Sequence, residues 1–306
     1  MALALKHQTL GSQATHRGIA LVLVLWAITL VAVIAASFAY TVGIEATLAA
    51  NLVGQAKARA LAEAGIHYAI FDLLGSVQLH RFTADGTPYP IEIGSETVTI
   101  SVRDVTGLID LNTASRELLG GLFMAAGVPQ DQLDSLLDVI EDWRDPDDIP
   151  HPQGAEDQDY IAAGLPYGAK DAPFEEVTEL QQVFGVSLEL YRRVEKSLTV
   201  FSGQAGINPA AASRETLLAI PGIDPGSVEA YVQARAESQA AGGTPPPPPA
   251  MGAGYLAQTG GVAYSLHAEA KITGGGVAII EATVSPGALN TGGIIPNSSV
   301  FEWRSL

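Results

Sequence analysis

The chain contains no cysteine, and it carries only 16 lysines and arginines against 33 aspartates and glutamates, a formal charge of −17 over 306 residues. The first absence excludes disulfides, thiolate metal sites and cysteine nucleophiles, so any clamp is made of oxygen or nitrogen; the redox compartment stays undecided. The second works against nucleic acid, because an acidic field repels a phosphate backbone unless a local basic patch outweighs it, and no such patch stands out along the sequence. A third absence is local: from Ile19 to Ile44 no side chain is charged. At 47 % apolar and 16 % charged residues the composition is that of a folded protein, and the length suits two modules rather than one.

The uncharged run of 26 residues, at about 1.5 Å of helical rise each, exceeds the roughly 30 Å hydrocarbon core of a bilayer. It follows a leader, residues 1–18, that holds Lys6, His7, His16 and Arg17 and no acid. Positive charge before the run and acidic bulk behind it predict a cytoplasmic N-terminus and an exported remainder. An ordinary signal peptide cut near the small residues of Ile34–Ala39 is the alternative, but the apolar stretch is longer than such segments usually are. The sequence also runs on without proline and with many alanines, which predicts one helix over 19–75, its first part (19–44) in the membrane. Ala46, Ala49, Ala50, Val53, Ala56, Ala60 and Ala64 recur near helical spacing and make a smooth stripe on which another helix could lie.

Beyond the helix, Ile91, Ile93, Val98, Ile100 and Val102 alternate around a Gly-Ser pair and read as two half-buried strands in the region 76–109. A second strand pair, around the glycines Gly274–Gly276, falls in 255–306. Between them, 110–240 has helical patterning, so the expected architecture is one sheet interrupted by an inserted helical domain. The Pro/Gly-rich segment 241–254 reads as a stiff linker back to the sheet. The apolar, aromatic tail docks either on its own domain or on a partner. Within the insertion "LNTASRELL" (111–119) and "INPAAASRETLL" (207–218) form a weak repeat, each with N-cap residues and a later glycine. This resembles helix-hairpin-helix segments that bind nucleic acid, although here the surroundings are acidic, and scaffold is the preferred reading.

Residues 141–160, "EDWRDPDDIPHPQGAEDQDY", concentrate eight carboxylates against one arginine. Leu133, Leu136, Leu137 and Ile140 give the preceding helix an apolar face and leave Asp134, Asp138 and Asp142 on a polar face, where like charges at i+4 repel. Pro146 and Pro150 then end the helix, and the remaining acids are expected in a loop. On the residues alone three readings stand: a solvated acidic loop, paired carboxylates for acid-base catalysis with no accompanying nucleophile or cofactor motif, and an oxygen-ligand calcium site. The order is not an EF-hand, and His151, the one nitrogen ligand nearby, reads as a loop residue rather than a zinc ligand.

Several of these motifs together carry a resemblance. "HRGIALVLVLWAITL" (16–30) resembles the cleavage junction of type IV pilins and type II secretion pseudopilins, which implies a prepilin-peptidase cut between Gly18 and Ile19 and methylation of the new N-terminus. The fifth residue after that cut, usually glutamate in the superfamily, is Leu23, a hallmark of the K component, the GspK family of minor pseudopilins at the filament tip. The order helix, strands, helical insertion, strands resembles that family as well, and so does the string "DWRDPDD" with "GAEDQDY". The resemblance implies an α+β, pilin-like fold: a long N-terminal helix packed on an antiparallel sheet with a large inserted all-helical domain. It further implies one or two bound calcium ions with Asp142, Asp145, Asp147, Asp148, Glu156, Asp157 and Asp159 as candidate ligands, and no enzymatic or nucleic-acid role. The implied partners are the I and J minor pseudopilins, then the H component and the major pseudopilin, together with the prepilin peptidase and the bacterial inner membrane, the bulk lying in the periplasm. A type IV pilus minor pilin, and from another class an exported calcium-binding enzyme, are the alternatives.

Overall fold

The computed structural model describes residues 16–75, 81–241, 243–244, 246–248, 252–257, 260–273, 275–285 and 300–305. Most of the leader, residues 1–15, and the tail segment 286–299 lie outside the described residues. Helix α1 spans His16–Leu73 without a break, as a proline-free, alanine-rich stretch should. Its first part is uncovered: Ile19 and Leu23 are 63 % and 65 % exposed. Its second part is a packing element. Ala58, Ala62, Ile66, Ala69 and Ile70, at spacings of three and four, are buried against the sheet.

The stripe Ala46, Ala49, Ala50, Val53, Ala56 and Ala60 is exposed, so the sheet has taken the neighbouring face. The reason is steric. Gly54 on α1 meets Gly275 and Gly276 of a sheet hairpin so closely that a Cβ on Gly54 would overlap the Gly275 carbonyl. Gln55 Nε2 then donates to the Val277 carbonyl at 2.9 Å and fixes the register of helix against sheet.

The sheet is antiparallel and runs β1 (Asp85–Ile93), β2 (Glu96–Asp104), β5 (Tyr264–Lys271), β6 (Val277–Val284), β7 (Val300–Ser305) in spatial order. Alternation puts Val98, Ile100, Val102, Leu266, Ala268 and Ile280 toward α1, and Ile100 pairs with Ala268, which pairs with Ile280. Alanines on the central strands let a thick helix lie close. Burying each Val or Ile stabilises by about 1.5–3 kcal/mol.

The insertion enters after β2 and leaves before β5, and Asp104 pins both ends. Its Oδ1 accepts from Thr106 N (2.9 Å) and Oγ1 (2.7 Å), and its Oδ2 accepts from Gly261 N at 2.8 Å. Within the insertion lie β3 (Ile109–Asp110), α2 (Arg116–Ala125), α3 (Gln130–Arg144), α4 (Asp157–Ala162), α5 (Leu188–Val194), β4 (Leu198–Thr199), α6 (Arg214–Leu218) and α7 (Pro225–Ala240). It is helical in the main, but not wholly: β3 and β4 pair in parallel, and irregular chain joins the short helices. Leu118, Phe123, Ile140, Tyr160, Leu180 and Leu217 centre a core of its own, separate from the one under the sheet.

The internal repeat is structural. Ser115 caps α2 by accepting from Leu118 N, Ser213 caps α6 by accepting from Thr216 N, and Gly127 and Gly222 take φ of 91° and 71° at the following turns. Two helical hairpins, α2–α3 and α6–α7, thus pack through α2 against α6.

Candidate metal centre

Helix α3 buries Leu133, Leu136, Leu137 and Ile140. The opposite face is not the solvated, mutually repelling row that its spacing suggests. Asp138 is 6 % exposed and Asp142 fully buried. Arg116, in the first turn of α2, supplies the missing charge: it lies 2.6 Å from Asp138, 2.9 Å from Glu141 and 3.6 Å from Asp134.

The loop after α3 folds back over the same face. Gln153 N donates to Asp138 at 2.9 Å, and His151 N (3.0 Å) and Ala155 N (2.7 Å) donate to the two oxygens of Asp142. His151 Nδ1 also meets Asp142 Oδ1. Gly154 passes so near that a Cβ would overlap the Asp142 carboxylate, which is why glycine stands there. Asp138 and Asp142 therefore act as clasps that hold loop to helix.

Glu156, Asp157 and Asp159 are not loop residues. Glu156 is the N-cap of α4, and Asp157 and Asp159 stand in its first turn, where the helix dipole favours carboxylates. Asp159 accepts from Glu156 N at 3.0 Å, one half of a capping box. Asp147 likewise turns back on the chain and accepts from Ile149 N at 3.0 Å. Asp147, Asp148, Asp157 and Asp159 are exposed; Glu156 is buried.

Three carboxylates stand apart. Asp145 Oδ1, Glu156 Oε1 and Asp171 Oδ1 are buried with no hydrogen-bond partner among the described residues. Asp171 was not a candidate on sequence grounds. It lies twelve residues beyond Asp159 with no acidic neighbour, and its only local signal is a place in "YGAKDAP", between a glycine and a proline. Its φ of +52° is the only positive value at a non-glycine among the described residues, a conformation held by its surroundings. Gly168 lets this segment approach the cluster: a Cβ there would overlap Asp157.

The electrostatics agree with crowding. Burial pushes Glu156 up to about 7, helped by Asp142, Asp171, Asp145 and Asp148. Burial, with Asp148, Asp157 and Asp147, raises Asp171; burial, with Asp147 and Asp142, raises Asp145 despite the opposing His151. His151 rises through its hydrogen bond to Asp142. Ligand atoms of Asp142, Asp145 and His151 lie within 4.8 Å of one another. Buried, unpartnered oxygens among carboxylates raised by one another form a donor set fit for a hard cation, which prefers oxygen ligands.

Comparison with known proteins bears on this segment directly. Residues 102–203 match the family model described as type II secretion system (T2SS), protein K, a stretch that contains every acid of the cluster, Asp171 included. The chain is 30 % identical over 159 residues to a type II secretion system protein K of Pseudomonas aeruginosa, covering 49 % of this chain and 47 % of that one. About a third of the chain, residues 102–203, thus resembles protein K of type II secretion systems. A second protein K, from Pectobacterium carotovorum subsp. carotovorum, is 27 % identical over 120 residues, 37 % of each chain. The chain thus spans about half, or less, of the length of these protein K relatives. In fold it is similar to a chain of the crystal structure of the GspK-GspI-GspJ complex from enterotoxigenic Escherichia coli. The TM-score is 0.57 at 14 % identity, over 80 % of this chain and 94 % of that one. The pilin-like arrangement of long helix, antiparallel sheet and inserted helical domain expected for protein K is the arrangement observed.

Proposed function

We propose that this chain is the minor pseudopilin at the tip of the type II secretion pseudopilus, a structural subunit rather than an enzyme, which primes filament assembly and serves protein export across the outer membrane. The observation that carries the reading is the pairing of a protein K segment with a helix whose first part is apolar and uncovered while its second part is packed on a sheet. An apolar helix with no cover among the described residues needs lipid or neighbouring helices around it. On this reading Ile19–Ile44 is anchored in the inner membrane with the remainder in the periplasm, after cleavage between Gly18 and Ile19. The first apolar turn supports a top position, because Leu23 puts no carboxylate where a subunit above would offer its amine. The solved relative crystallised with GspI and GspJ, which makes the I and J minor pseudopilins the partners to test first. Full-length protein, co-expressed with I and J and extracted in detergent, is expected to co-purify with both; its recovery at repeated positions along sheared filaments would reject the tip assignment.

Within that role the acids hold calcium. Asp145, Glu156 and Asp171 offer the unpartnered oxygens, with Asp147, Asp148 and Asp157 beside them. Asp142 and Asp159 are already engaged by backbone N–H groups and support the site from behind. The ion supplies positive charge that joins the end of α3, the start of α4 and the Asp171 turn, segments that share no regular secondary structure.

A further inference from the structure

Strand β7 is the outermost strand of the sheet, and it reaches across to the insertion. It pairs antiparallel with β6 through Glu281 with Arg304, Ala282 with Trp303 and Thr283 with Glu302. On one side Trp303 lies 5.9 Å, ring to ring, from His67 of α1. On the other, Arg304 Nη2 lies 3.2 Å from Glu176 Oε2, and the Phe301 ring stacks on Phe201 at 5.5 Å and 17°. Glu176 and Phe201 both belong to the insertion.

The insertion also holds the sheet at its root, where Asp104 and Val105 bond to Gly261 and Ala263 at the ends of β2 and β5 and the neighbouring Arg103 donates to the Lys196 carbonyl at 3.4 Å. A body held at one root can swing about it. A second hold two strands further across the sheet, at about 4.8 Å per strand, removes that freedom. The second hold is also light. Phe301 is 52 % exposed, Trp303 39 %, and the Arg304 and Glu176 side chains 34 % and 55 %. The other edge strand, β1, carries Pro88 and Pro90, which cannot donate to a ladder; β7 has no proline.

We infer that β7 is a releasable strap that fixes the angle between the insertion and the long helix. With the strap docked, a load on the insertion passes to α1 through Arg304 and Trp303. With it released, the insertion turns on its root and β6 becomes an open edge.

Because the chain is free of cysteine, two labels can be placed without background. Ala60→Cys on α1 and Gln132→Cys on α3, both exposed positions, carry spin labels in the full-length protein in detergent micelles, and pulsed electron resonance reads the distance distribution between them. The parent is expected to give one narrow distribution. A chain ending at Ser285 is expected to broaden it by about twofold or more, and Phe301→Ala with Arg304→Ala to broaden it in the same direction. An unchanged width in the folded, shortened chain overturns the inference. Should that chain fail to fold by circular dichroism, the double substitution decides alone, and a width equal to the parent's overturns it.

Discussion

The Arg116 guanidinium, in the first turn of α2, lies 2.6 Å from the nearly buried carboxylate of Asp138 in the middle of α3. That contact turns a row of like charges into a clasp, because one cation serves Asp134, Asp138 and Glu141 together. Removing it leaves Asp138 buried with only the Gln153 N–H. Arg116→Ala is expected to destabilise the protein by about 2–3 kcal/mol, less than for a fully buried pair because the arginine side chain is partly solvated. Arg116→Lys, which cannot span three acids with one planar fork, should recover only part of this in denaturant unfolding.

Calcium should reverse the sign of one substitution. Without metal, Asp171→Asn relieves repulsion from Asp147, Asp148 and Asp157 and is expected to raise the melting temperature. With calcium at about a hundredfold its dissociation constant, where binding adds roughly 2.7 kcal/mol to the parent, the same variant should melt below it. Magnesium should substitute poorly, since it gives up its waters reluctantly. Calorimetry in chelator and in calcium checks both halves; a variant that tracks the parent in both media would remove Asp171 from the site.

The metal-free protein is expected to lose stability as pH rises. Glu156 sits at about 7 in the folded state, above its unfolded value, so between these values the folded state binds the extra proton and stability falls with rising pH. His151, also raised, contributes in the same direction, its stabilisation being lost as pH climbs through its folded value. For Glu156 alone the loss from pH 5 to 8 is on the order of 2–3 kcal/mol. Saturating calcium should flatten the profile, and an equal slope with and without calcium would contradict the proposed ligand set.

Processing gives a test independent of the acids. A peptidase junction that needs a small residue before the cut is expected to fail in Gly18→Val, leaving the precursor intact and secretion blocked. Intact-mass measurement of the membrane form decides it. An N-terminus within Ile34–Ala39 would instead mean an ordinary signal peptide, and would remove the pilin-like anchor.

Much of this protein is written locally. The unbroken α1, the alternation in β1, β2, β5 and β6, the apolar face of α3 and the serine caps with their later glycines all follow from periodicities of 2 and 3.6 and from turn chemistry, which act over a few residues. The acids of 141–160 were legible as a group for the same reason: they are neighbours in sequence. What the sequence left open involves partners far apart along the chain. Arg116 and Asp138 are 22 residues apart, and Asp145 and Asp171 are 26. Whether Asp138 repels its neighbours or clasps a loop depends on where α2 lies, and whether Asp171 matters depends on a turn that carries it back to α4. The choice of helix face was likewise made by Gly54 meeting Gly275 and Gly276, over two hundred residues away. Residues 300–305 of the tail, which could have served a partner, pair with their own sheet because β6 had an unpaired edge to offer. Local pattern determines which elements form; it carries no term for the distance between elements, and buried charge, close backbone approach and edge pairing are settled only by that distance.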